Sequence, residues 1–124
     1  MEKQNNNIAT ILIVDDIQQN LSILNNILSD EGYNIRLAIS SEIALEFVQN
    51  EIPDLILLDI KMPGMDGYEV CTRLKADQRT REIPIIFISA LNDIDSKLKG
   101  FESGGVDYIT KPFEFDEVLV RVKT

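Results

Sequence analysis

One stretch near the middle of the chain constrains the fold more than any other. Four apolar residues, Leu55 to Leu58, lead directly into Asp59, with Pro53 before them and Pro63 after. An apolar run this short, bounded by turn residues, is typical of a strand buried on both faces of a parallel sheet. Such a strand cannot bury a charge along its length. We therefore expect Asp59 to emerge at its C-terminal end, where open parallel sheets carry their ligands and chemistry.

Short strand-like runs recur along the sequence, and helical patterns separate them. The predicted strands are Ile11 to Val14, Asn34 to Ala38, Leu55 to Leu58, Ile85 to Ile88 and Val106 to Ile109. Apolar residues at helical spacing follow each strand; the predicted core-facing positions are Ile17, Leu21, Leu24, Ile27 and Leu28, then Ile43, Ala44, Phe47 and Val48, then Tyr68, Val70, Cys71 and Leu74, then Ile94, Leu98 and Phe101, and finally Phe115, Val118, Leu119 and Val122. This alternation predicts an α/β fold, a doubly wound five-stranded parallel sheet with helices on both faces.

Turn and capping residues set the expected boundaries. We expect Gly32 to end the first helix and Ser41 to cap the second at its N-terminus. Residues 1–9 are expected to form a flexible polar tail, and residues 10–124 a single domain. The chain end cuts the final helix short, which we interpret as a sign that the domain comes from a longer protein.

Composition and charge exclude several classes of function. The formal net charge of −9 argues against direct binding to nucleic acid. No apolar run approaches the roughly 20 residues that span a bilayer, which argues against membrane insertion. The chain has no histidine, so Ser-His-Asp triads and histidine-ligated zinc are excluded within it. Its single cysteine, Cys71, allows no internal disulfide and fits a reducing compartment, so we expect a cytoplasmic protein.

Polar residues that carry chemistry follow four of the predicted strands. Asp15 and Asp16 follow the first strand, Asp59 the third, Ser89 the fourth and Lys111 the fifth. The carboxylates converge only if the first and third strands are neighbours, which the flavodoxin-like strand order 2-1-3-4-5 provides. Two carboxylates about 4 Å apart repel by roughly 4 kcal/mol at an effective dielectric constant of about 20. The cluster therefore requires a proton or a cation.

The chemistry of these side chains favours phosphoryl transfer. Oxygen-only ligands favour a hard cation, and Mg²⁺ can bridge carboxylates and a phosphoryl group. Lys111 supplies a positive charge suited to an anion, and Ser89 supplies a hydroxyl donor. Asp59 can then act as the nucleophile that accepts a phosphoryl group as an acyl phosphate. For Asp15 and Asp16 the alternative is a solvated helix start, since acids favour helix N-termini.

Four motifs in this order resemble the receiver domain of two-component response regulators, and the resemblance covers almost the whole chain. The motifs are Ile11 to Asp16, Asp59 followed by Met62 to Gly67, Ile88 to Ala90, and Lys111 to Phe113. Each motif alone is weak, but all four at strand ends with family-like spacing make a specific match. Within the second motif, Asp66 and Gly67 are interpreted as turn and N-cap residues, not as ligands.

The resemblance implies the roles of the site residues. Asp59 would accept a phosphoryl group from a phosphohistidine on a sensor histidine kinase or a histidine phosphotransfer protein. Asp16 and Asp59 would bind Mg²⁺ directly, together with the backbone carbonyl of Lys61, and Asp15 would act through water. Lys111 would pair with the phosphoryl group.

The resemblance also implies a conformational switch. Ser89 would move to hydrogen-bond the phosphoryl group and draw Tyr108 inward. This movement would alter the face made by the helix around residues 94–101, the fifth strand and the final helix, and a homodimer through that face is a further hypothesis. The alternative for Tyr108 is a ring that is simply packed in the sheet. The family also implies a cis peptide bond between Lys111 and Pro112.

Two positions are expected to set the lifetime of the phosphoaspartate. Lys61 lies two residues after Asp59, and Leu91 lies two residues after Ser89, where the family modulates attack by water. Leu91 cannot orient a water molecule by hydrogen bonding, so we predict slow self-dephosphorylation.

The predicted function is therefore a phosphorylation-activated signalling switch of a two-component phosphorelay. The domain would catalyse only its own phosphorylation and dephosphorylation, so we do not expect an enzyme that turns over a metabolite. One alternative is an interaction module with the same fold that works independently of phosphorylation. Another is a magnesium-dependent phosphohydrolase, for which the sequence offers neither a lid insertion nor an obvious substrate pocket.

Overall fold

Strands and helices alternate along the chain, as the sequence predicts. The computed structural model describes residues 8–89, 104 and 107–123. The elements in chain order are β1 Thr10–Val14, α1 Gln18–Ser29, β2 Asn34–Ala38, α2 Ser41–Asn50, β3 Leu55–Asp59, α3 Gly67–Ala76, β4 Ile85–Ser89, β5 Asp107–Thr110 and α4 Phe115–Lys123. The strands pair in parallel in the order β2-β1-β3-β4-β5. Both the fold class and the predicted strand order are confirmed.

The central strand β3 is buried on both faces. Ile56 and Leu58 face a cluster that includes residues of α2 and α3, whereas Leu55 and Leu57 face a cluster that includes residues of α1 and α4. Each fully buried leucine side chain contributes about 1.5–3 kcal/mol to folding. Because side chains alternate along a strand, a shift of one residue would exchange the two sets. Packing on both sides therefore fixes where β3 ends and where Asp59 emerges.

The strand register brings the predicted site residues to one edge of the sheet. Val14 pairs with Leu58, so Asp15 follows β1 beside the point where Asp59 ends β3. On the other side of β3, Asp59 pairs with Ile88, which precedes Ser89 at the end of β4. Order and register together account for the convergence that the sequence predicts.

The start of α2 differs from the prediction. Ser40, and not Ser41, is the N-cap residue: its side chain accepts a hydrogen bond of 3.1 Å from the N–H of Ile43. Ser40 has the extended backbone that a cap requires, whereas Ser41 is already the first helical residue. The sequence offers two adjacent serines, and either could have served as the cap.

Three apolar residues predicted to face the core are instead exposed. Ile17, Ile43 and Phe115 have 49%, 43% and 51% of their surface exposed. Ile17 precedes α1 as its N-cap residue, so helical spacing does not apply to it. Ile43 lies one position away from the buried stripe of α2, which consists of Ser41, Ala44 and Val48. Phe115 is the first residue of α4.

Several predictions concern residues outside the described ranges. These are most of the polar N-terminal tail, the helix around residues 94–101, Val106 as the start of β5, and the positions of Ala90 and Leu91. Over the ranges that the structure does describe, no helix is both long enough and apolar enough to cross a membrane.

Gly67 lies against the backbone at the end of β3, where there is no room for a side chain. Its N–H donates a hydrogen bond of 2.8 Å to the carbonyl of Ile60 and so closes the loop between β3 and α3. A Cβ atom at Gly67 would overlap the carbonyl oxygen of Asp59 and would lie 3.0 Å from the Cα of Ile60. In the same loop Gly64 has a φ of 77°, a left-handed conformation that favours glycine.

We predict that Gly67→Ala lowers the free energy of unfolding by about 1–3 kcal/mol, because the new methyl group forces the backbone at Asp59 aside. Urea denaturation measures this loss, and amide chemical shifts of residues 59 and 60 report the displacement. Gly32→Ala is the control, since Gly32 has a positive φ of 96° but no neighbouring atom within 4 Å of the place that a methyl group would occupy. It should destabilise the chain without shifting those amides. Unchanged shifts in Gly67→Ala would contradict the prediction.

Candidate functional site

Three carboxylates meet at the C-terminal edge of the sheet. Asp15 follows β1, Asp16 follows Asp15, and Asp59 ends β3; one carboxylate oxygen from each lies within 4.8 Å of the others. Asp15 is 0% exposed and Asp59 is 3% exposed, whereas Asp16 is exposed to solvent. The structure thus brings together the three acidic residues that the sequence singles out.

Asp15 is held by hydrogen bonds to both of its carboxylate oxygens. Oδ1 accepts from the N–H of Ile17 at 2.9 Å, and Oδ2 accepts from the side-chain amide of Asn20 at 3.1 Å. The bond from Ile17 is a local one, between residues two apart, that Asp side chains often make. Sequence reasoning did not identify the role of Asn20. The feature of the sequence that could have indicated this role is a side-chain amide in the first turn of the helix that follows Asp15.

Lys111 places its positive charge beside two of the carboxylates. Its Nζ lies 3.5 Å from Oδ1 of Asp59 and 3.9 Å from Oδ2 of Asp15. The backbone N–H of Lys111 donates to the carbonyl of Ser89 at 2.9 Å, which ties the end of β5 to the end of β4. The peptide bond between Lys111 and Pro112 is cis, as the resemblance implies. The side chain is 28% exposed, so its charge remains accessible from solvent.

Ser89 ends β4 with a buried hydroxyl. The residue is 2% exposed, and among the described residues its Oγ has no hydrogen-bond partner. A buried hydroxyl without a partner costs free energy that a bound oxygen ligand would recover. This is the property expected of a side chain that binds a ligand oxygen at the edge of the site.

Tyr108 lies in the core on β5, two strands away from Asp59 on β3. It is 6% exposed, and its ring centroid lies 5.5 Å from that of Phe87, which in turn lies 5.2 Å from Tyr68. The ring is therefore packed against the sheet in this structure. Its predicted movement with Ser89 stays a prediction.

The loop after Asp59 combines structural and predicted site residues. Asp66 caps α3 by accepting from the N–H of Glu69 at 3.0 Å, as predicted. Lys61 has an exposed side chain, and Met62 is buried in the core. The roles of the Lys61 carbonyl and of Lys61 in phosphoaspartate lifetime stay predictions, and Leu91 lies outside the described residues.

Burial raises the pKa of Asp59 from its ordinary value of 3.8 to about 7. Desolvation by the surrounding core is the largest cause, and the negative charge of Asp15 adds to it. The nearby charge and hydrogen bond of Lys111 act in the opposite direction, and Asp16 contributes a smaller rise. In the absence of a cation, ionised Asp59 is therefore an unfavourable group in the folded protein.

The donor set fits a hard divalent cation. The converging side-chain atoms are carboxylate oxygens, without nitrogen or sulfur, and hard cations such as Mg²⁺ bind such ligands. Desolvation is the main cause of the raised pKa of Asp59, and a cation at this position would offset the repulsion from Asp15 and Asp16 that adds to it. The exposed carboxylate of Asp16 leaves one side of the cluster open to solvent, from which a partly hydrated ion could enter.

We predict that Asp59→Asn stabilises the metal-free protein at neutral pH. Because the folded-state pKa lies above the unfolded value, the folded chain retains a proton between about pH 4 and pH 7 that the unfolded chain has lost. The cost of ionising Asp59 is therefore absent below about pH 4 and complete above about pH 7. Urea denaturation with a chelator should show that Asp59→Asn raises the free energy of unfolding by about 2–4 kcal/mol at pH 8 and by little at pH 4.

Asp16→Asn is the control, because it changes an exposed carboxylate and should raise the free energy of unfolding by less. An equal gain for Asp59→Asn at both pH values would contradict the prediction.

Comparisons with known proteins agree on one family. The family model described as the response regulator receiver domain matches residues 11–123. The response regulator PleD of Caulobacter vibrioides is 42% identical over 116 residues, which are 94% of this chain and 26% of PleD. The DNA-binding dual master transcriptional regulator RpaA of Synechocystis is 40% identical over 113 residues, 91% of this chain and 47% of RpaA. The crystal structure of a response regulator from Chloroflexus aurantiacus J-10-fl has a TM-score of 0.91 at 40% identity, covering 94% of this chain and 95% of that one.

The similarity to the two curated relatives concerns only part of each of them, since this chain spans about a quarter of PleD and about half of RpaA. The activities of those whole proteins are therefore not transferred. Within this chain the match begins at Ile11 in β1 and runs past Lys111 into α4. Because it spans the sheet and every residue of the acidic cluster, this chain belongs to the family of response regulator receiver domains.

Proposed function

We propose that this domain is a phosphorylation-activated switch in which Asp59 accepts a phosphoryl group from a phosphohistidine. The donor would be a sensor histidine kinase or a histidine phosphotransfer protein. The observation that carries the proposal is the buried Asp59 carboxylate beside Asp15, with the amine of Lys111 3.5 Å away. Burial opposes the ionisation of this carboxylate, yet it lies beside the positive amine of Lys111 and the acidic cluster. Titratable groups in such surroundings are candidates for reactive groups.

The residues that would hold Mg²⁺ are Asp16 and Asp59, with the backbone carbonyl of Lys61, while Asp15 would act through water. When bound, Mg²⁺ supplies charge neutralisation for the carboxylates and for the oxygens of the transferred group. It would also favour the ionised form of Asp59, which is the stronger nucleophile. Asn20 and the N–H of Ile17 hold Asp15 in place during these changes.

The positions of Asp59 and Lys111 support the following transfer step. An Asp59 carboxylate oxygen attacks the phosphorus and forms the new P–O bond. The P–N bond to the donor imidazole breaks, its electron pair returns to the ring nitrogen, and the ring later takes up a proton from solvent. Lys111 would pair with a phosphoryl oxygen and stabilise the charge on it as the group moves.

The response to phosphorylation would begin at Ser89. Its buried hydroxyl has no hydrogen-bond partner among the described residues, so a phosphoryl oxygen could provide one. A shift of Ser89 would alter the edge of β4 and, through the adjacent β5, the surroundings of Tyr108. The surface formed by β5, α4 and the segment before β5 would then change, and a homodimer through this surface is one form that the output could take.

We predict that incubation with Mg²⁺ and acetyl phosphate or phosphoramidate adds the mass of one phosphoryl group to the chain. Asp59→Asn should abolish the adduct because it removes the nucleophile. Asp54→Asn is the matched control, because Asp54 lies just before β3 whereas Asp59 is its last residue. The carboxylate of Asp54 accepts a hydrogen bond from the N–H of Thr10, away from the acidic cluster. Intact-protein mass spectrometry measures the result.

Each outcome of that experiment selects one function. An adduct in the wild type and in Asp54→Asn, but not in Asp59→Asn, supports the switch. No adduct with any donor favours an interaction module that works without phosphorylation. Steady release of phosphate from unrelated phosphoesters would instead indicate a hydrolase.

We further predict a long-lived phosphoaspartate, because Leu91 has no polar atom to orient an attacking water molecule. Leu91→Glu should shorten the lifetime several-fold, and Leu91→Met, which keeps the side chain apolar, should not. The decay of the phosphorylated mass after removal of the donor measures both. An unchanged lifetime in Leu91→Glu would rule out this role for the position.

A further inference from the structure

The hydroxyl of Ser41 contacts the loop that follows Asp59. Ser41 is the first residue of α2 and is 1% exposed. Its Oγ donates a hydrogen bond of 2.6 Å to the carbonyl oxygen of Met65, a residue 24 positions further along the chain. The contact therefore joins α2 to the connection between β3 and α3.

This hydrogen bond is not needed to start α2. Ser40 already caps the helix through its bond with the N–H of Ile43. The hydroxyl of Ser41 points away from its own helix, and Met65 is the partner that the structure gives it. A buried hydroxyl and a carbonyl that satisfy each other restrict the positions of both backbones, since separating them would leave both unpaired.

The loop from Lys61 to Asp66 has few other attachments. Its base is closed by the hydrogen bond from the N–H of Gly67 to the carbonyl of Ile60. Among the described residues, Ser41 makes the one hydrogen bond that this loop receives from outside β3 and α3. The side chains of Met62 and Met65 pack against the core, but apolar packing does not fix the direction of a backbone carbonyl.

We propose that Ser41 is a positioning residue of the phosphoryl-acceptor site. Its hydroxyl holds the backbone at Met65, and through the short segment to Lys61 it holds the carbonyl that would bind the cation. The inference rests on the proposed function, because it assumes that the Lys61 carbonyl is a cation ligand. Ser41 itself touches neither the cation nor the phosphoryl group.

The test compares Ser41→Ala with Ser40→Ala in the same chain. Both variants remove one hydroxyl at the start of α2, but only Ser41→Ala removes the bond to the loop. Calorimetric titration with Mg²⁺ measures the cation affinity of the unphosphorylated protein, and acetyl phosphate with mass spectrometry measures phosphoryl uptake. All measurements are made at temperatures well below the thermal unfolding midpoint of the less stable variant, so that both variants are fully folded.

We expect Ser41→Ala to weaken Mg²⁺ affinity about tenfold, the lower end of what partners of metal ligands contribute. The Mg²⁺ concentration for half-maximal phosphorylation should rise by the same factor, with a smaller change in the rate at saturating Mg²⁺. Ser40→Ala should lower the unfolding midpoint but leave Mg²⁺ affinity unchanged. A purely structural role for Ser41 would lower stability without moving the affinity.

The outcomes separate this inference from the proposed function. Equal Mg²⁺ affinity in Ser41→Ala and wild type, or an equal loss in both variants, overturns the role of Ser41. A wild-type chain that binds Mg²⁺ but takes up no phosphoryl group overturns the proposed function, while the affinity comparison still decides the role of Ser41. A wild-type chain that does not bind Mg²⁺ overturns both.

Discussion

The site depends on a central strand whose packing on both faces keeps a carboxylate buried at its end. Asp59 is surrounded by the core on one side and faces Asp15 on the other, so both desolvation and repulsion oppose its charge. The folded chain tolerates this because β3 packs on both faces and cannot shift without exposing its leucines. The free-energy cost of ionising a buried carboxylate falls on Asp59 alone, whereas the stabilising apolar contacts are spread over the whole sheet. A site that is unfavourable by itself is thus maintained by a core that is not involved in its chemistry.

Much of this arrangement could be predicted from the sequence, because the relevant rules are local or topological. The apolar run before Asp59 is bounded by prolines, which restricts it to a short buried strand. Parallel strands present their carboxyl ends at one edge, so residues after successive strands converge without any information about side-chain contacts. For Asp15 and Asp59 to meet, β1 and β3 must be neighbours, which the order 2-1-3-4-5 satisfies. The match to a receiver-domain family model over residues 11–123 agrees with that reasoning.

Other parts of the site could not be predicted, because they depend on tertiary contacts. Two adjacent serines stand at the start of α2, and the sequence does not say which one has the extended backbone of a cap. The bond from Ser41 to Met65 joins residues that only the packed sheet brings together. The hydrogen bond from Asn20 to Asp15 depends on the angle at which α1 leaves the β1 edge. The exposure of Ile17 depends on where α1 begins, and that of Ile43 depends on where the buried stripe of α2 lies, each to within one residue.

The hydrogen bonds to Asp15 have a consequence for the size of ion that the cluster can accept. Both of its oxygens are already held, one by the N–H of Ile17 and the other by the amide of Asn20. A carboxylate held in this way is suited to contact an ion through a water molecule, and not to give the bidentate, irregular coordination that larger ions such as Ca²⁺ accept. The backbone of Asp59 is fixed by β3, whereas the carboxylate of Asp16 is exposed to solvent. If the cluster holds a cation as proposed, it would favour a small ion that keeps its own water molecules over a larger ion of the same charge.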